Sequence, residues 1–215
     1  MNRHMSVFVR SLTAVLSLWW GLSATVCQAV PVSVSLDTAS ISGGSFSIAF
    51  DFFDGDAAAH NTVTIDGFDF GGGSPTGSPI LTGGATGNLS SVVTLSDSGG
   101  FFNSLVQGFI PGSILSFVIE TTTNFAGGTP DSLVFSLLDS TGAPLPTTDP
   151  LGTDALLVIA LGSGGPVTET FSSPAFNIPV PQAAVAPEPG TLVLLGGGLG
   201  GLIVAQLRRK ALSEA

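Results

Sequence analysis

An all-β fold, an antiparallel β-sandwich of jelly-roll type, is predicted for the centre of this 215-residue chain by three observations. Apolar residues recur with a period of two, as in Phe46, Ile48, Phe50 and Phe52 against Ser45, Ser47, Ala49 and Asp51. Clusters of glycine and proline separate such runs, and no segment between the two ends carries an amphipathic helical stripe. Alternation over ~4–8 residues puts one face of a strand on a core and the other in solvent. Many short strands at close spacing then favour two packed antiparallel sheets.

The alternation predicts strands over 32–36, 45–53, 62–70, 89–95, 101–109, 114–122, 132–138, 154–161 and 168–178. Val63 and Ile65 alternate with Thr62, Thr64 and Asp66; Leu115, Phe117 and Ile119 alternate with Ser116 and are flanked by Glu120. Gly67 next to Phe68 moves the pattern by one residue, which predicts a β-bulge. Turns are expected at 43–44, 71–79, 83–87, 98–100, 127–130 and 142–150, where Gly, Pro, Ser, Thr and Asp cluster. Residues 179–186 are uncharged and rich in Pro, Ala and Val, and read as an extended tether.

Both ends of the chain differ from this centre. Arg3 and Arg10 precede an apolar run from Leu12 to Leu22, and Cys27-Gln28-Ala29 then offers small residues at the −3 and −1 positions. This pattern predicts a secretory signal peptide over 1–29, cut between Ala29 and Val30. The alternative, a lipoprotein signal with Cys27 lipidated, is disfavoured by the bulk of Val26 before the cysteine. Cys27 is the single cysteine, so cleavage leaves a domain without disulfides even in an oxidising compartment.

At the other end, residues 191–207 carry no charge. As a helix they would span roughly 25 Å, at the short end for a bilayer core of about 30 Å. Arg208, Arg209 and Lys210 follow as a stop-transfer cluster, expected to stay cytoplasmic, with 211–215 as a short cytoplasmic end. Pro187-Glu188-Pro189 precedes the helix and holds Glu188 in an extended segment just outside the membrane. Gly196-x-Gly198-x-x-Gly201 formally fits a dinucleotide fingerprint, but no strand–turn–helix unit surrounds it.

The Pro187-Glu188-Pro189 motif, the glycine-rich apolar helix and the Arg208-Arg209-Lys210 cluster together resemble the PEP-CTERM sorting signal of Gram-negative bacteria over residues 187–210. The resemblance implies cleavage near the motif by an exosortase, a membrane cysteine transpeptidase. It also implies a transient anchor in the inner membrane, then a destination at the cell surface or in a biofilm matrix of exopolysaccharide. The centre is similar, more loosely, to the short Gly/Ser/Thr-rich β domains that carry this signal, a likeness that names no activity.

Charge narrows the functions open to the centre. All five Lys and Arg residues lie in the two ends, whereas 30–186 holds all of the 15 acids except Glu188 and Glu214. Nucleic-acid binding needs a basic footprint, and this segment has none. Its carboxylates must be solvated, hydrogen-bonded, protonated or bound to a cation. All but one of the 15 phenylalanines follow the signal peptide, enough with Val, Ile and Leu for a core of one domain over 30–178.

The densest acidic cluster is Asp51-Phe52-Phe53-Asp54-Gly55-Asp56, at the end of a strong strand. Calcium takes six to eight oxygen ligands, and carboxylates in a loop supply them. Asp51, Asp54 and Asp56 are therefore candidate calcium ligands, with Asp66 and Asp69 across the 57–61 turn; the alternative is solvated loop aspartates. The loop is not an EF-hand, because the twelfth position from Asp54 is Ile65 rather than Glu.

Catalysis finds little support. His60 is the only histidine in 30–186, and no Gly-x-Ser-x-Gly elbow is present. Glu120 and Glu169, the only glutamates there, are the formal candidates for a glycosidase pair, but nothing in the sequence places them around one cleft. Glycan binding without catalysis is a fairer rival, with Phe52-Phe53, Phe68 with Phe70, and Phe101-Phe102 as candidate stacking rings. The sequence thus predicts an exported, non-enzymatic surface or matrix protein, with a calcium-assisted glycan-binding module as the alternative.

Overall fold

The alternating runs pair into two antiparallel sheets of six strands each. The computed structural model describes residues 31–56 and 60–185. Its strands are β1 Val32–Asp37, β2 Phe46–Phe53, β3 Thr62–Asp69, β4 Ser74–Thr82, β5 Gly84–Gly87 and β6 Val93–Ser96. They continue as β7 Phe102–Ile110, β8 Ile114–Thr121, β9 Asp131–Leu138, β10 Leu157–Gly162, β11 Gly165–Thr170 and β12 Gln182–Val185. One sheet runs β12-β1-β8-β3-β6-β5 and the other β11-β10-β9-β2-β7-β4. Among the described residues no helix is long and apolar enough to cross a membrane. The segment 191–207 lies outside them.

The core lies between the sheets and is built on phenylalanine. Phe50 of β2, Phe117 of β8 and Phe135 of β9 form a triangle with centroid separations of 5.3, 5.4 and 5.1 Å. Phe68 joins it 5.7 Å from Phe117, and Phe70 stacks on Phe68 at 6.0 Å. Edge-to-face and offset contacts of this kind add to the area each ring removes from water. Strand alternation supplies the rings: Phe50 and Phe52 are fully buried, while Asp51 and Phe53, each one residue on, face outward.

Four expectations need correction. Residues 71–79 and 83–87, expected as turns, hold β4 and β5. Proline and glycine mislead here because β4 is an edge strand, where a missing N–H costs no ladder bond. Gly83, at φ +62, turns the chain from one sheet to the other so close to Phe102 that a Cβ would lie 2.5 Å from its carbonyl oxygen. The predicted strand 89–95 shortens to β6, since Asn88 turns the chain by accepting the Ser90 N–H. In place of one strand over 168–178, a hairpin joins β10 to β11, whose strand ends at Thr170. The tether expected over 179–186 contains β12, which pairs with β1 from Val32↔Val185 to Ser35↔Gln182, with Ala183 packed on the core. The bulge expected at Gly67 is present: the β3–β8 register shifts between Asp66 and Asp69, with Gly67 at φ +64.

Register places many strand ends at one pole. Val32 at the start of β1 lies opposite Val185 at the end of β12 and Ile119 near the end of β8. Val63, near the start of β3, lies opposite Thr121 and Leu95. The two ends of the described chain therefore leave the sandwich from the pole where β3 begins and β6 and β8 end.

Candidate metal centre

That pole gathers acids from three separate loops. Asp54 and Asp56 follow β2, Asp97 follows β6, and Asp131 opens β9. Oxygen atoms of Asp54, Asp56 and Asp131 lie within 4.8 Å of one another. Gly55 makes this possible, because a Cβ there would meet the carbonyl oxygens of Pro130 and Thr129 at 2.4 and 2.5 Å. Only glycine lets the 54–56 loop lie against the segment that leads into Asp131. The Gly55 N–H then donates to Asp131 Oδ1 at 2.7 Å, and the Ala126 N–H to Asp56 Oδ2 at 3.0 Å.

Asn61 is the hub of the pole. Its Nδ2 donates to Asp131 Oδ2 at 2.6 Å and to the Asn124 carbonyl at 2.7 Å. Its Oδ1 accepts from Thr122 Oγ1 at 2.9 Å and from the Asn124 N–H at 2.7 Å. Its backbone N–H is shared between the two Asp97 oxygens, each at 2.9 Å. Asn61 and Asp131 are each 1% exposed, so the Asn61 bonds to Asp131 and Asp97 are made away from water.

Asp97 shows what the crowding does. Burial is the largest influence on its carboxyl and raises its pKa. The Asn61 N–H pulls the other way, but a hydrogen bond to Asp131 and the charges of Asp131 and Asp54 push Asp97 up to about 6. A hydrogen bond between two carboxyls needs a proton on one of them. His60 Nδ1 lies 3.4 Å from Asp97 Oδ1 and is the one cation-forming side chain here, with the imidazole half exposed.

The donor set fits a hard cation. Three carboxylates and neighbouring carbonyls supply oxygen only, which suits calcium or magnesium rather than zinc or copper. Asp131 Oδ1 is held by the Gly55 N–H and Oδ2 by Asn61 Nδ2, which fixes this carboxylate in place beside Asp54 and Asp56.

The structure separates the sequence candidates. Asp54 and Asp56 stand in the cluster, but Asp51 does not. Strand alternation turns Asp51 to the outer face of its sheet, where it accepts a 2.5 Å hydrogen bond from Ser104 Oγ. The third ligand is Asp131, which is remote in sequence. Asp66 and Asp69 also stand apart; Asp69 caps its own turn by accepting the Gly71 N–H. Glu120 and Glu169 lie exposed on different sheets. Of the candidate stacking rings, Phe52 is fully buried and Phe68 and Phe70 belong to the core, while Phe101 and Phe102 are exposed. The cleavage pair Ala29 and Val30, the motif Pro187, Glu188 and Pro189, and the cluster Arg208, Arg209 and Lys210 lie outside the described residues.

Compared with known proteins, the chain matches no family model, no curated protein and no solved structure.

Proposed function

We propose that this chain is an exported, non-enzymatic protein of the cell surface or extracellular matrix. In this reading residues 1–29 direct export, 191–207 form a transient anchor in the inner membrane, and an exosortase-like transpeptidase cuts at Pro187–Pro189. One observation carries it: motif, apolar segment and Arg208-Arg209-Lys210 occur in one order within residues 187–210. The domain itself is consistent with such a role. Within the two sheets the orders β1-β8-β3-β6 and β2-β7-β4 support the jelly-roll reading, with β9, β10 and β11 extending the second sheet.

We further propose that one calcium ion binds Asp54, Asp56 and Asp131 and neutralises the pole. No Lys or Arg lies anywhere in 30–186 to do so instead. Because both described ends of the chain leave from this pole, it is the pole nearest the anchor before cleavage.

Intact mass of the protein recovered from membrane and secreted fractions of its host tests the sorting. A secreted product starting at Val30 and ending within 187–190 is expected. A product that keeps Arg208–Lys210 in every fraction would mean a permanent anchor and would refute it.

A further inference from the structure

The outer face of the second sheet holds a cleft that the cation site does not use. Its floor is Ala49 of β2 with Val134 and Leu138 of β9, and Phe53 forms one wall. Pro144 and Thr153, from the segment between β9 and β10, form the rim. The cleft encloses about 200 Å³, below the ~300–1,000 Å³ of pockets for drug-sized ligands, so it admits a single ring.

Two polar groups line the cleft. Ser136 is only 6% exposed, lines the cleft, and its hydroxyl makes no hydrogen bond among the described residues. Its hydroxyl opens on the cleft, where it can donate to and accept from a ligand. Asp51 lies one strand pair away, since Ala49 faces Ser136 and Asp51 faces Val134 in the β2–β9 register. One Asp51 oxygen accepts from Ser104, and the other has no donor among the described residues. Burial is the main influence on this carboxyl and raises its pKa, against the Ser104 bond.

Aromatic rings continue the cleft toward the pole. Phe53 packs on Phe102 at 5.2 Å and on Phe101 at 5.9 Å. Phe101 is 68% exposed and Phe102 39%, so this cluster offers open ring faces. From Ala49 to Phe53 the strand covers roughly 13 Å, longer than one ring.

We propose that this cleft and the adjoining phenylalanines bind a neutral polysaccharide, with one pyranose ring seated over Ala49 and Val134 and the next stacked on Phe53, Phe101 and Phe102. A pyranose presents apolar C–H faces to rings and aliphatic floors, and hydroxyl edges that donate to Asp51 and accept from Ser136. Charge selects the neutral class. A uronic-acid or sulfated polymer would bring anions beside Asp51 in a domain with no Lys or Arg to receive them. The proposal rests on the matrix reading only for the presence of a polysaccharide nearby.

The test is titration of the full chain, in detergent micelles with its phenylalanine rings carbon-13 labelled, by a linear glucose hexamer and separately by a uronic-acid hexamer. The glucose hexamer is expected to shift Phe53, Phe101 and Phe102 and leave buried Phe50 and Phe135 in place. The uronic-acid hexamer is expected to bind at least about tenfold more weakly. Phe101→Ala, at the surface, and Asp51→Ala, on the outer face of its sheet, should each weaken glucose-hexamer binding about tenfold with the Phe50 signal unchanged. Absence of shifts, equal response to both hexamers, or shifts that persist in both variants would overturn the proposal. Concentration-dependent shifts of Phe101 and Phe102 without sugar would overturn it in favour of self-association. None of these outcomes depends on processing at Pro187–Pro189, which the host mass measurement decides separately.

Discussion

Two groups of aspartates in this domain meet opposite fates. The turns after β9 supply their own donors. Asp139 accepts the Thr141 hydroxyl and the N–H groups of Thr141 and Ala143, and Thr141 above all holds its carboxyl below the ordinary value. Asp149 is penalised by burial, yet the Thr153 hydroxyl and the N–H groups of Leu151 and Thr153 outweigh this and leave it lowered as well. At the pole Asp97 is buried and acids face acids, so Asp97 rises instead. The same residue type is a latch where the loop donates to it. It is a destabilising charge where it meets other carboxylates, unless a cation arrives.

The comparison breaks most severely at Asn61. Asn61→Ala removes four side-chain hydrogen bonds of the pole. At about 1 kcal/mol each it should cost about 3–4 kcal/mol, read from urea unfolding followed by circular dichroism. A cost below about 1 kcal/mol would show that the pole is not cross-braced through this residue.

Calcium should have the next largest effect. At one hundred times its dissociation constant a ligand adds about 2.7 kcal/mol. For a domain of this size that raises Tm by roughly 5–10 °C. The increase should vanish in Asp131→Asn and persist in Asp51→Asn, measured by calorimetry against a chelator control.

The pH dependence sharpens the contrast further. Below about 3.8 Asp97 is protonated both folded and unfolded; between there and about 6 only the folded state keeps the proton. Stability from this group therefore falls as pH rises through that window. Asp139 and Asp149 work in the opposite sense: their contribution is present above about 3.8 and is lost as pH falls through their lowered folded values. The cation-free protein is expected to be most stable near pH 4, and saturating calcium should remove the decline toward neutrality. A urea midpoint in chelator that rises steadily from pH 5 to 7 would contradict this.

The smallest effect is expected in the other group. Asp149→Asn keeps one acceptor and should cost about 1–2 kcal/mol, with the calcium response unchanged. A lost calcium response there would mean that the two regions are coupled.

Much of the sandwich was legible because alternation is local. Phe50 and Phe52 declare their face within a single strand, and Gly67 marks its bulge in the same way. The edge strands β4 and β12 were hidden, since an edge tolerates the Pro and Ala that read as loop. The cation site was half legible. Asp54 and Asp56 stand together in sequence, but Asp131 arrives from a distant strand. A signal for it did exist. Asp131 shares the inward phase of Leu133 and Phe135, Asp97 that of Val93 and Leu95, and Asn61 that of Val63 and Ile65. Polar residues in core phase at strand ends mark a buried polar pole, whereas Asp51 lies in the outward phase and was grouped with the cluster only by proximity along the chain.

Equilibrium dialysis of the full chain against radioactive calcium at neutral pH, with Asp51→Asn and Asp131→Asn alongside, tests the central claim most directly. One ion per chain in the unmodified protein and in Asp51→Asn, with none retained by Asp131→Asn, is the expected result. Binding that is absent altogether, or that survives Asp131→Asn unchanged, would contradict the assignment of the pole as a cation site.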